Sequence, residues 1–370
     1  FRNVTGVQTC ALPIWGIFLP ARVLLKTYPD DNVIIMTITI TDIARLAEVS
    51  LATVSRVINQ PERVKEATRR RVLRVMEENN YVYNALAGGL SKSATRTLGL
   101  IIPTITNPIF AVSTGGVQYA AANRGYSLLL GSTEYEPEAE HSLVRLYLEK
   151  RVDGIVLSGS PLTERSLNYM KSRGIPYLMT WEAFDDNETP YISFNNVKAA
   201  KQAVDYLVSM GHRRIAMITG LFEETGRAHR RWRGYKESLT NWDIPYDETL
   251  VIQKGYSVAS GREAARRLLK MKEPPTAIFC GNDILAYGAI AGAKDLDRRV
   301  GVDLGIIGFD DLEMSAVMDP PLTTIRIPGH EMGSMGANAL IDIIEEKNQE
   351  TVQYVLETDL ILRSSVPKIN

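Results

Sequence analysis

From residue 97 onward, apolar runs of strand length alternate with longer stretches in which apolar residues recur at helical spacing. The predicted strands are Leu98–Ile102, Tyr126–Leu130, Gly154–Leu157, Tyr177–Met179, Ile215–Thr219, Ala277–Cys280 and Gly305–Phe309. The predicted helices between them span about 108–124, 138–150, 196–210, 258–271 and 283–295. Such alternation predicts an α/β fold with parallel sheets that carry helices on both faces.

The length of this region predicts more than one sheet. Residues 97–370 are too many for one doubly wound sheet, and the strand–helix alternation restarts near Arg214. We therefore expect two similar subdomains that face a cleft, with ligands bound at the carboxyl ends of the strands. The expected subdomains combine about 97–194 with 327–354, and 195–325 with 355–370.

A smaller module with a different pattern precedes this body. In residues 38–83, Thr41 is expected to cap a helix that runs to about Glu48, and Ser50 to cap a second helix over 51–58. A third helix is predicted over about 66–79. Because only two residues separate the first two helices, these helices must cross steeply, as in a helix-turn-helix. Periodicity alone leaves a generic three-helix cap equally open.

The 370 residues carry a formal net charge of −1, but that charge is unevenly distributed. Residues 38–96 hold ten Lys or Arg and six Asp or Glu, a net charge of +4, whereas residues 97–370 have a net charge of −6. A small basic module joined to a large acidic one favours polyanion binding by the basic module. A merely solvated helical surface is the alternative.

Composition and motifs argue against several other classes of protein. Two cysteines in this length exclude a disulfide scaffold. The sequence contains no G-x-S-x-G, H-E-x-x-H, P-loop or C-x-x-C motif, and its four histidines have no metal-ligand spacing. We therefore expect no enzyme, no metal and no cofactor, and we assign no catalytic residue.

Residues 1–35 are expected to contribute nothing to the fold. Val4–Ile14 is the translation, in one frame, of a common sequencing-adapter oligonucleotide, and the apolar stretch that follows is too interrupted for a signal peptide. We interpret residues 1–14 as an assembly artefact and residues 15–35 as an untranslated leader. The natural start is then expected at Met36, and a secretion signal is the alternative.

The run from Ile40 to Asn59 resembles the DNA-binding headpiece of LacI/GalR-type transcriptional repressors, because it contains the family-specific pattern V-S-x-x-T-V-S-R-V-[IV]-N. The resemblance implies contacts to base edges from Leu51, Ala52 and Arg56. Arginine suits O6 and N7 of guanine, whereas leucine and alanine offer only apolar contact. The short polar side chains, which suit phosphate oxygens, are Ser50, Thr53, Ser55 and Asn59.

Two residues of the headpiece depart from the family pattern. Glu48 replaces a glycine in a turn that often needs a positive φ, which predicts strain of about 1 kcal/mol. Lys65 replaces a serine cap, so the first turn of the third helix is expected to fray.

Residues 84–94 resemble the family's hinge helix, N-x-x-A-x-x-L. The resemblance implies minor-groove contacts from Ala87 and Leu90, with Leu90 inserted between base pairs. Adjacent Gly88 and Gly89 reduce the helix propensity by about 2 kcal/mol relative to alanines, so a flexible linker is the alternative. We expect disorder of this segment in the absence of DNA.

The resemblance extends along the body through segments that stand in family order: Asn107–Phe110, Arg151–Ile155, Gly211–Ile215, Arg231–Tyr235, Asn282–Asp283, Gly308–Asp311 and Pro321–Ile325. It implies the fold of periplasmic sugar-binding proteins, with polar contacts to an effector from Arg231, Asn282 and Asp310. It also implies that Phe110, Trp181 and Tyr256 present flat apolar faces to the effector, although each aromatic residue alone is compatible with core packing. A guanidinium, an amide and a carboxylate supply the donors and acceptors that a polyol needs.

Several positions leave the identity of the effector open. Thr180 stands where an effector-binding Asp is common in the family, and Phe194 replaces the Asp of a usual Asp-Asn pair. The additional cluster of Arg227, His229 and Arg230 would suit a carboxylate or phosphate on the ligand, or would form a solvated edge.

These features predict a homodimeric, cytoplasmic, nucleoid-associated repressor without a membrane partner. It is expected to bind a pseudo-palindromic double-stranded operator under the control of a small-molecule effector, a sugar or a sugar derivative. The alternative is a periplasmic or secreted solute-binding protein of a transport system. The helix-turn-helix argues against that alternative.

Overall fold

The computed structural model describes residues 38–82, 94–159, 163–184, 186–223, 226–347 and 350–369. The predictions for the extension at 1–35 and for the hinge residues Ala87 and Leu90 lie outside these ranges. The chain divides into two compact units, Phe1–Lys92 and Ser93–Asn370, which contain the headpiece and the body. Within the described ranges, no helix combines the length and apolar character needed to cross a bilayer.

The headpiece consists of three helices around a small core. The helices are α1 (Ile40–Leu46), α2 (Leu51–Asn59) and α3 (Glu66–Glu78). The buried core side chains are Ile43, Ala44, Ala47, Val54, Val57 and Val72. Glu48, in the turn between α1 and α2, has a φ of +53°, which confirms the expected left-handed turn. Lys65 precedes α3 and forms no side-chain capping bond to it.

The cap of α1 differs from the prediction. Thr39, rather than Thr41, precedes the helix, and its Oγ1 accepts a hydrogen bond of 3.3 Å from the backbone N–H of Asp42. The Asp42 carboxylate accepts in return from the backbone N–H of Thr39 at 3.1 Å, which completes a capping box. The prediction of Thr41 was wrong because the capping box of Thr39 and Asp42 starts the helix at Ile40, which places Thr41 inside its first turn.

The body contains strands that form two sheets and helices that cover them. The strands are β1 (Thr97–Ile102), β2 (Ser127–Ser132), β3 (Gly154–Ser158), β4 (Tyr177–Thr180), β5 (Tyr191–Phe194), β6 (Ile215–Thr219), β7 (Val251–Gln253), β8 (Ala277–Cys280), β9 (Gly305–Asp310), β10 (Thr323–Arg326), β11 (Gln353–Leu356) and β12 (Asp359–Ile361). The helices are α4 (Pro108–Asn123), α5 (Pro137–Glu149), α6 (Glu164–Ser172), α7 (Asn196–Ser209), α8 (Gly226–Asn241), α9 (Val258–Leu269), α10 (Asp283–Lys294), α11 (Glu313–Val317) and α12 (Gly329–Ile344).

The first sheet has the strand order β11-β5-β4-β3-β1-β2, and every paired neighbour is parallel. Alternate residues of β1 enter different cores. Leu98 and Leu100 pack in a cluster with residues of α4 and α12, whereas Ile101 packs in a second cluster with residues of α5 and α6. Helices therefore cover both faces of the sheet, as its continuous apolar strands require.

The second sheet has the strand order β12-β10-β9-β8-β6-β7, in which only the pairing of β12 with β10 is antiparallel. One face packs against α7 and α8, and the other against α9 and α10. The chain passes from the first sheet to the second after β5, returns after β10, and enters the second sheet again with β12.

Hydrophobic periodicity failed to detect several of these elements. The undetected elements are β5, β7, β10, β11, β12, α6, α8, α11 and α12. In α8, two of the buried positions are Gly234 and Ser238, which a search for apolar residues does not recognise. A Cβ on Gly234 would lie 2.4 Å from the carbonyl oxygen of Val197, so α7 and α8 pack at a distance that only glycine permits at this position.

Candidate functional site

The first candidate site is the exposed face of α2 in the headpiece. Ser50 begins the helix, because its Oγ accepts a hydrogen bond of 3.1 Å from the backbone N–H of Thr53. Leu51 is 49% exposed, and Ala52 and Arg56 are also exposed. The opposite face of the same helix packs into the headpiece core. The surface therefore offers two apolar groups and one guanidinium group, without a cost in core packing.

The polar residues predicted beside these groups have different surroundings. The hydroxyls of Ser50 and Thr53 lie 2.9 Å apart and hydrogen-bond to each other. Ser55 is half-buried, and Asn59 is the last residue of α2. Short hydroxyls and backbone N–H groups at the start of a helix suit phosphate oxygens.

The second candidate site is a cleft at the carboxyl ends of the strands in both sheets. Trp181 directly follows β4, Tyr256 lies three residues after β7, and Asp310 is the last residue of β9. The other predicted residues stand on helices: Phe110 in the first turn of α4, Arg231 in α8, and Asn282 as the N-cap of α10. Parallel strands place ligand sites at this edge.

An aromatic cluster forms one wall of the cleft. The rings of Phe110 and Trp181 have centroids 5.3 Å apart, and Trp181 also contacts Phe194 at 5.9 Å. Phe194 in turn lies 6.2 Å from Phe309 of the second sheet. Phe194 stands where the family usually has an Asp. The phenylalanine therefore makes an apolar contact between the two sheets at a position that is usually acidic.

The guanidinium of Arg231 is buried at the opposite wall. Its Nε donates to Oδ1 of Asn196 at 2.9 Å, its Nη1 donates to the carbonyl oxygen of Gly281, and its Cζ lies 3.7 Å from the ring centroid of Phe309. Burial lowers the pKa of this group, and the nearby Asp310 carboxylate opposes that effect. Asn196 positions Arg231, but no motif or pattern in the sequence identified it.

Asn282 and Asp310 retain unused hydrogen-bonding capacity. Oδ1 of Asn282 accepts from the backbone N–H of Leu285 at 2.9 Å and caps α10, whereas its buried Nδ2 has no partner within the described ranges. The same holds for Oγ1 of Thr219 at the end of β6. The carboxylate of Asp310, 3% exposed, forms no hydrogen bond with any described residue. Buried polar groups of this kind normally have partners, so a polar ligand would complete the site.

The electrostatics and backbone of the cleft are also unusual. Burial raises the pKa of the Asp310 carboxyl well above its usual range, Arg231 opposes the rise, and the Asp283 carboxylate adds to it. The φ angles of Trp181 and Asp310 are +75° and +122°. Left-handed backbone in residues other than glycine costs free energy, and such strain is concentrated at functional sites.

The structure resolves the two interpretations of the cluster on α8. Arg227 is buried, whereas His229 is exposed and stacks on Trp232 with centroids 5.1 Å apart. Arg230 is half-buried and forms an ion pair with Glu182. The interpretation as a solvated edge therefore fits His229 but not Arg227.

Tyr256 and Thr180, the remaining predicted positions, have partners from the first sheet and its loops. Tyr256 lies against Tyr135, with ring centroids 6.3 Å apart, so each sheet contributes one tyrosine to this end of the cleft. Thr180 is buried, and its hydroxyl donates to Oγ of Ser158 at 2.8 Å. Sequence reasoning did not identify Tyr135 or Ser158, because neither belongs to a recognisable motif.

Two family models match the chain. Residues 39–84 match the model of bacterial regulatory proteins of the lacI family, and residues 204–366 match that of the periplasmic binding protein-like domain. Catabolite control protein A of Priestia megaterium is 36% identical over 317 residues, which cover 86% of this chain and 95% of that protein.

Solved structures are similar over most of the chain. The lac repressor dimer bound to operator and the anti-inducer ONPF is 26% identical with a TM-score of 0.79, and the match covers 89% of this chain and 99% of that one. The complex of the transcriptional regulator CelR with cellobiose is 30% identical with a TM-score of 0.68, over the same shares of the two chains.

Proposed function

The chain belongs to the LacI family of DNA-binding transcriptional regulators, and we propose that it is a repressor whose affinity for operator DNA is controlled by a small-molecule effector. The observation that carries this proposal is the exposed face of α2. A helix that shows Leu51, Ala52 and Arg56 to solvent, and buries its other face, has the form of a recognition helix.

We assign the roles of the headpiece residues by their chemistry. Arg56 binds O6 and N7 of guanine, and Leu51 and Ala52 make apolar contacts to base edges such as a thymine methyl group. The residues proposed to bind phosphate oxygens are Ser50, Thr53, Ser55 and Asn59. Insertion of Leu90 into the minor groove next to Ala87 is proposed on the family resemblance alone.

The repressor is proposed to act as a homodimer on a pseudo-palindromic operator. The solved lac repressor, similar over most of this chain, is a dimer bound to operator, and two-fold protein symmetry is matched by a symmetric site on the DNA. Such a protein would act in the cytoplasm, associated with the nucleoid.

The effector is proposed to be a sugar or a sugar derivative bound in the cleft. Arg231, Asn282 and Asp310 would bind its hydroxyls, and Phe110, Trp181 and Tyr256 would contact its apolar faces. The unused Nδ2 of Asn282 and the lone carboxylate of Asp310 support this assignment, as does the cellobiose bound to CelR. By linkage, DNA and effector must alter each other's affinity by the same factor, typically about 1–3 kcal/mol in free energy.

Selection of binding sites from random duplex DNA by the full chain tests the DNA-binding part of the proposal. The enriched sites are expected to be pseudo-palindromic. The Arg56→Ala variant should lose about 1–3 kcal/mol of binding free energy at the selected site and relax the preference at one base pair per half-site. Arg70→Ala, which removes an exposed guanidinium paired with Glu66 on α3, should preserve the base preference. If Arg56→Ala instead weakens DNA binding equally on all sequences, Arg56 contacts a phosphate and not a base.

Thermal unfolding in the presence of sugars and sugar derivatives tests the effector part. A ligand at 100 times its Kd adds about 2.7 kcal/mol to the stability, which is readily measured. Asp310→Asn should abolish this response and the effector's influence on operator affinity, whereas the exposed Asp359→Asn should retain both. An unchanged response of Asp310→Asn would show that the ligand binds elsewhere.

A further inference from the structure

Arg227 bridges the cleft and lies against its aromatic wall. Its Cζ is 5.4 Å from the ring centroid of Phe110 and 5.9 Å from that of Trp181. Its Nη1 donates to the carbonyl oxygen of Gly159 at 2.6 Å. Since α8 packs on the second sheet and Gly159 follows β3 of the first, this one side chain contacts both walls. A Cβ on Gly159 would lie 1.9 Å from Nη1 of Arg227. Any side chain at position 159 would therefore displace the guanidinium from its present place.

The charges buried in the cleft are unbalanced. Arg227 and Arg231, one helical turn apart, are each 4% exposed. In the parts of the chain that the structure describes, neither has a carboxylate within the 4.0 Å of an ion pair. Arg230, which lies between them, is neutralised by Glu182. The described cleft thus holds two buried guanidinium groups without an ion pair, near the one carboxylate of Asp310.

The other carboxylate nearby does not correct this imbalance. Asp283 is fully buried and accepts hydrogen bonds of 2.6 Å from the hydroxyls of both Ser315 and Thr324, and one of 2.9 Å from the backbone N–H of Leu312. Its oxygens are therefore committed to the second sheet and its loops. The carbonyl and amide oxygens that face Arg227 and Arg231 satisfy individual N–H groups, but they carry no countercharge.

A buried cation without a countercharge is costly, and the planar guanidinium is matched best by the two oxygens of a carboxylate or phosphate. We infer that the effector is an anionic sugar, a sugar acid or a sugar phosphate, whose anionic group binds Arg227 while its hydroxyls bind Asn282 and Asp310. This inference rests on the proposed function and makes Arg227 the residue that selects anionic over neutral sugars. A neutral sugar would leave the two guanidinium groups with only the Asp310 carboxylate between them, one negative charge too few.

The test compares matched hexoses and pentoses, each as the neutral sugar, the sugar acid and the sugar phosphate, with the full chain. Thermal unfolding identifies the compounds that bind, and calorimetry gives their Kd. At least one anionic compound is expected to raise Tm when its neutral parent does not. The separate responses to acids and phosphates show which anion the site accepts.

Variants of α8 test whether Arg227 is the residue that binds the anionic group of the ligand. Arg227→Gln should weaken the anionic ligand about 10- to 100-fold, the usual range for a hydrogen bond to a charged group. Arg227→Lys retains the charge without the planar fork, so it should weaken binding less than Arg227→Gln, and it serves as the test if Arg227→Gln does not fold. Arg233→Gln makes the same change in net charge at an exposed site of the same helix, paired with Glu237, and should leave the Kd unchanged.

Two outcomes separate this inference from the proposed function. If a neutral sugar binds as tightly as its acid and its phosphate, and Arg227→Gln leaves that affinity unchanged while Asp310→Asn abolishes it, the inference is overturned and the sugar-binding cleft stands. If no sugar, acid or phosphate changes Tm, both the inference and the proposed effector class are overturned.

Discussion

The headpiece and the body present their candidate binding residues in opposite ways. In the headpiece, Leu51 is 49% exposed, and Arg56 of the same helix is exposed as well. In the body, Trp181 is 1% exposed and Asp310 3% exposed, and Phe110, Arg231 and Asn282 are buried with them. One region displays its chemistry on a convex helix, whereas the other encloses it at the edge of two sheets.

The difference follows from the size and shape of what each region is proposed to bind. A DNA groove is itself concave and surrounds a helix that enters it, so the contacting side chains need no shelter. A small ligand must be surrounded by the protein to lose its hydration over most of its surface. The cleft therefore buries charges and strains its backbone, and the headpiece carries its strain in the turn at Glu48.

The largest expected effect is a difference in the free energy of unfolding between a substitution at the buried site and one at the exposed site. Trp181→Ala should reduce the free energy of unfolding of the body by about 3–5 kcal/mol, because it removes a buried ring packed on Phe110 and Phe194. Leu51→Ala should change stability by less than about 0.5 kcal/mol, because its side chain is exposed. Urea denaturation measures both. A loss below 1 kcal/mol for Trp181→Ala would mean that the aromatic wall is not a packed core.

The next prediction concerns the dependence of stability on pH, which should have opposite signs in the two regions. Burial raises the pKa of Asp283 in the body from 3.8 to about 6, so the native state binds the proton more tightly than the unfolded state. The contribution of Asp283 to the free energy of unfolding is therefore fully present below pH 4 and is lost as the pH rises through 6. The total loss is about 3 kcal/mol. In the headpiece, hydrogen bonds from Thr39 lower the pKa of Asp42, and its contribution is lost as the pH falls.

Denaturation of the wild type and of Asp283→Asn between pH 4 and 7 checks the sign. The amide cannot titrate, so the stability of the wild type relative to this variant should decline across that range. Because the comparison is a difference, carboxylates that do not interact with Asp283 cancel. Asp310 does not cancel, since the Asp283 carboxylate contributes to its raised pKa, but the loss of that contribution in the variant changes the difference in the same direction. A difference that stays constant or grows with pH would contradict the assignment.

A smaller effect is expected at the cap of α1. Thr39→Ala should destabilise the headpiece by about 1 kcal/mol, because it removes the acceptor for the backbone N–H of Asp42 and breaks the capping box. Thr41→Ala lies within the first turn at an exposed position, so it should cost no stability, because alanine favours the helix more than threonine does. Thermal unfolding of the headpiece transition distinguishes them. Equal losses would restore Thr41 as the capping residue.

The smallest expected effect concerns backbone strain at Glu48, in the turn between α1 and α2. Glu48→Gly should stabilise the headpiece by about 0.5–1 kcal/mol, because φ is +53° there and glycine adopts that region without a Cβ clash. The same replacement at Glu77, inside α3, should destabilise by a similar amount. Opposite signs in denaturant midpoints are the expected result, and a loss of stability in both variants would show that the turn is unstrained.

The sequence predicted some parts of the molecule much better than others. The cap at Ser50 and the start of α2 are confirmed, because they depend on residues within one helical turn. The strand–helix alternation from β1 to β3 is also visible in apolar runs. In α8 the signal failed, since close packing against α7 selected Gly234 and Ser238 instead of large apolar residues. The strands β11 and β12 are short and half-exposed, and their register depends on sheets completed far earlier in the chain.

Taken by itself, the sequence determined the family, the helix-turn-helix and the alternating α/β plan, because motifs, caps and periodicity are local properties of the chain. Only the tertiary structure decided which charges of the cleft are paired. Arg230 is neutralised by Glu182, whereas Arg227 reaches the carbonyl oxygen of Gly159, 68 residues away, and has no ion pair in the described ranges. Arg227 and Arg230 stand three residues apart on one helix and look alike in sequence. Their burial and partners differ because Arg227 is enclosed between the aromatic wall and Gly159, whereas Arg230 lies half-buried against Glu182 and the carbonyl oxygen of Ala183 in the loop after β4.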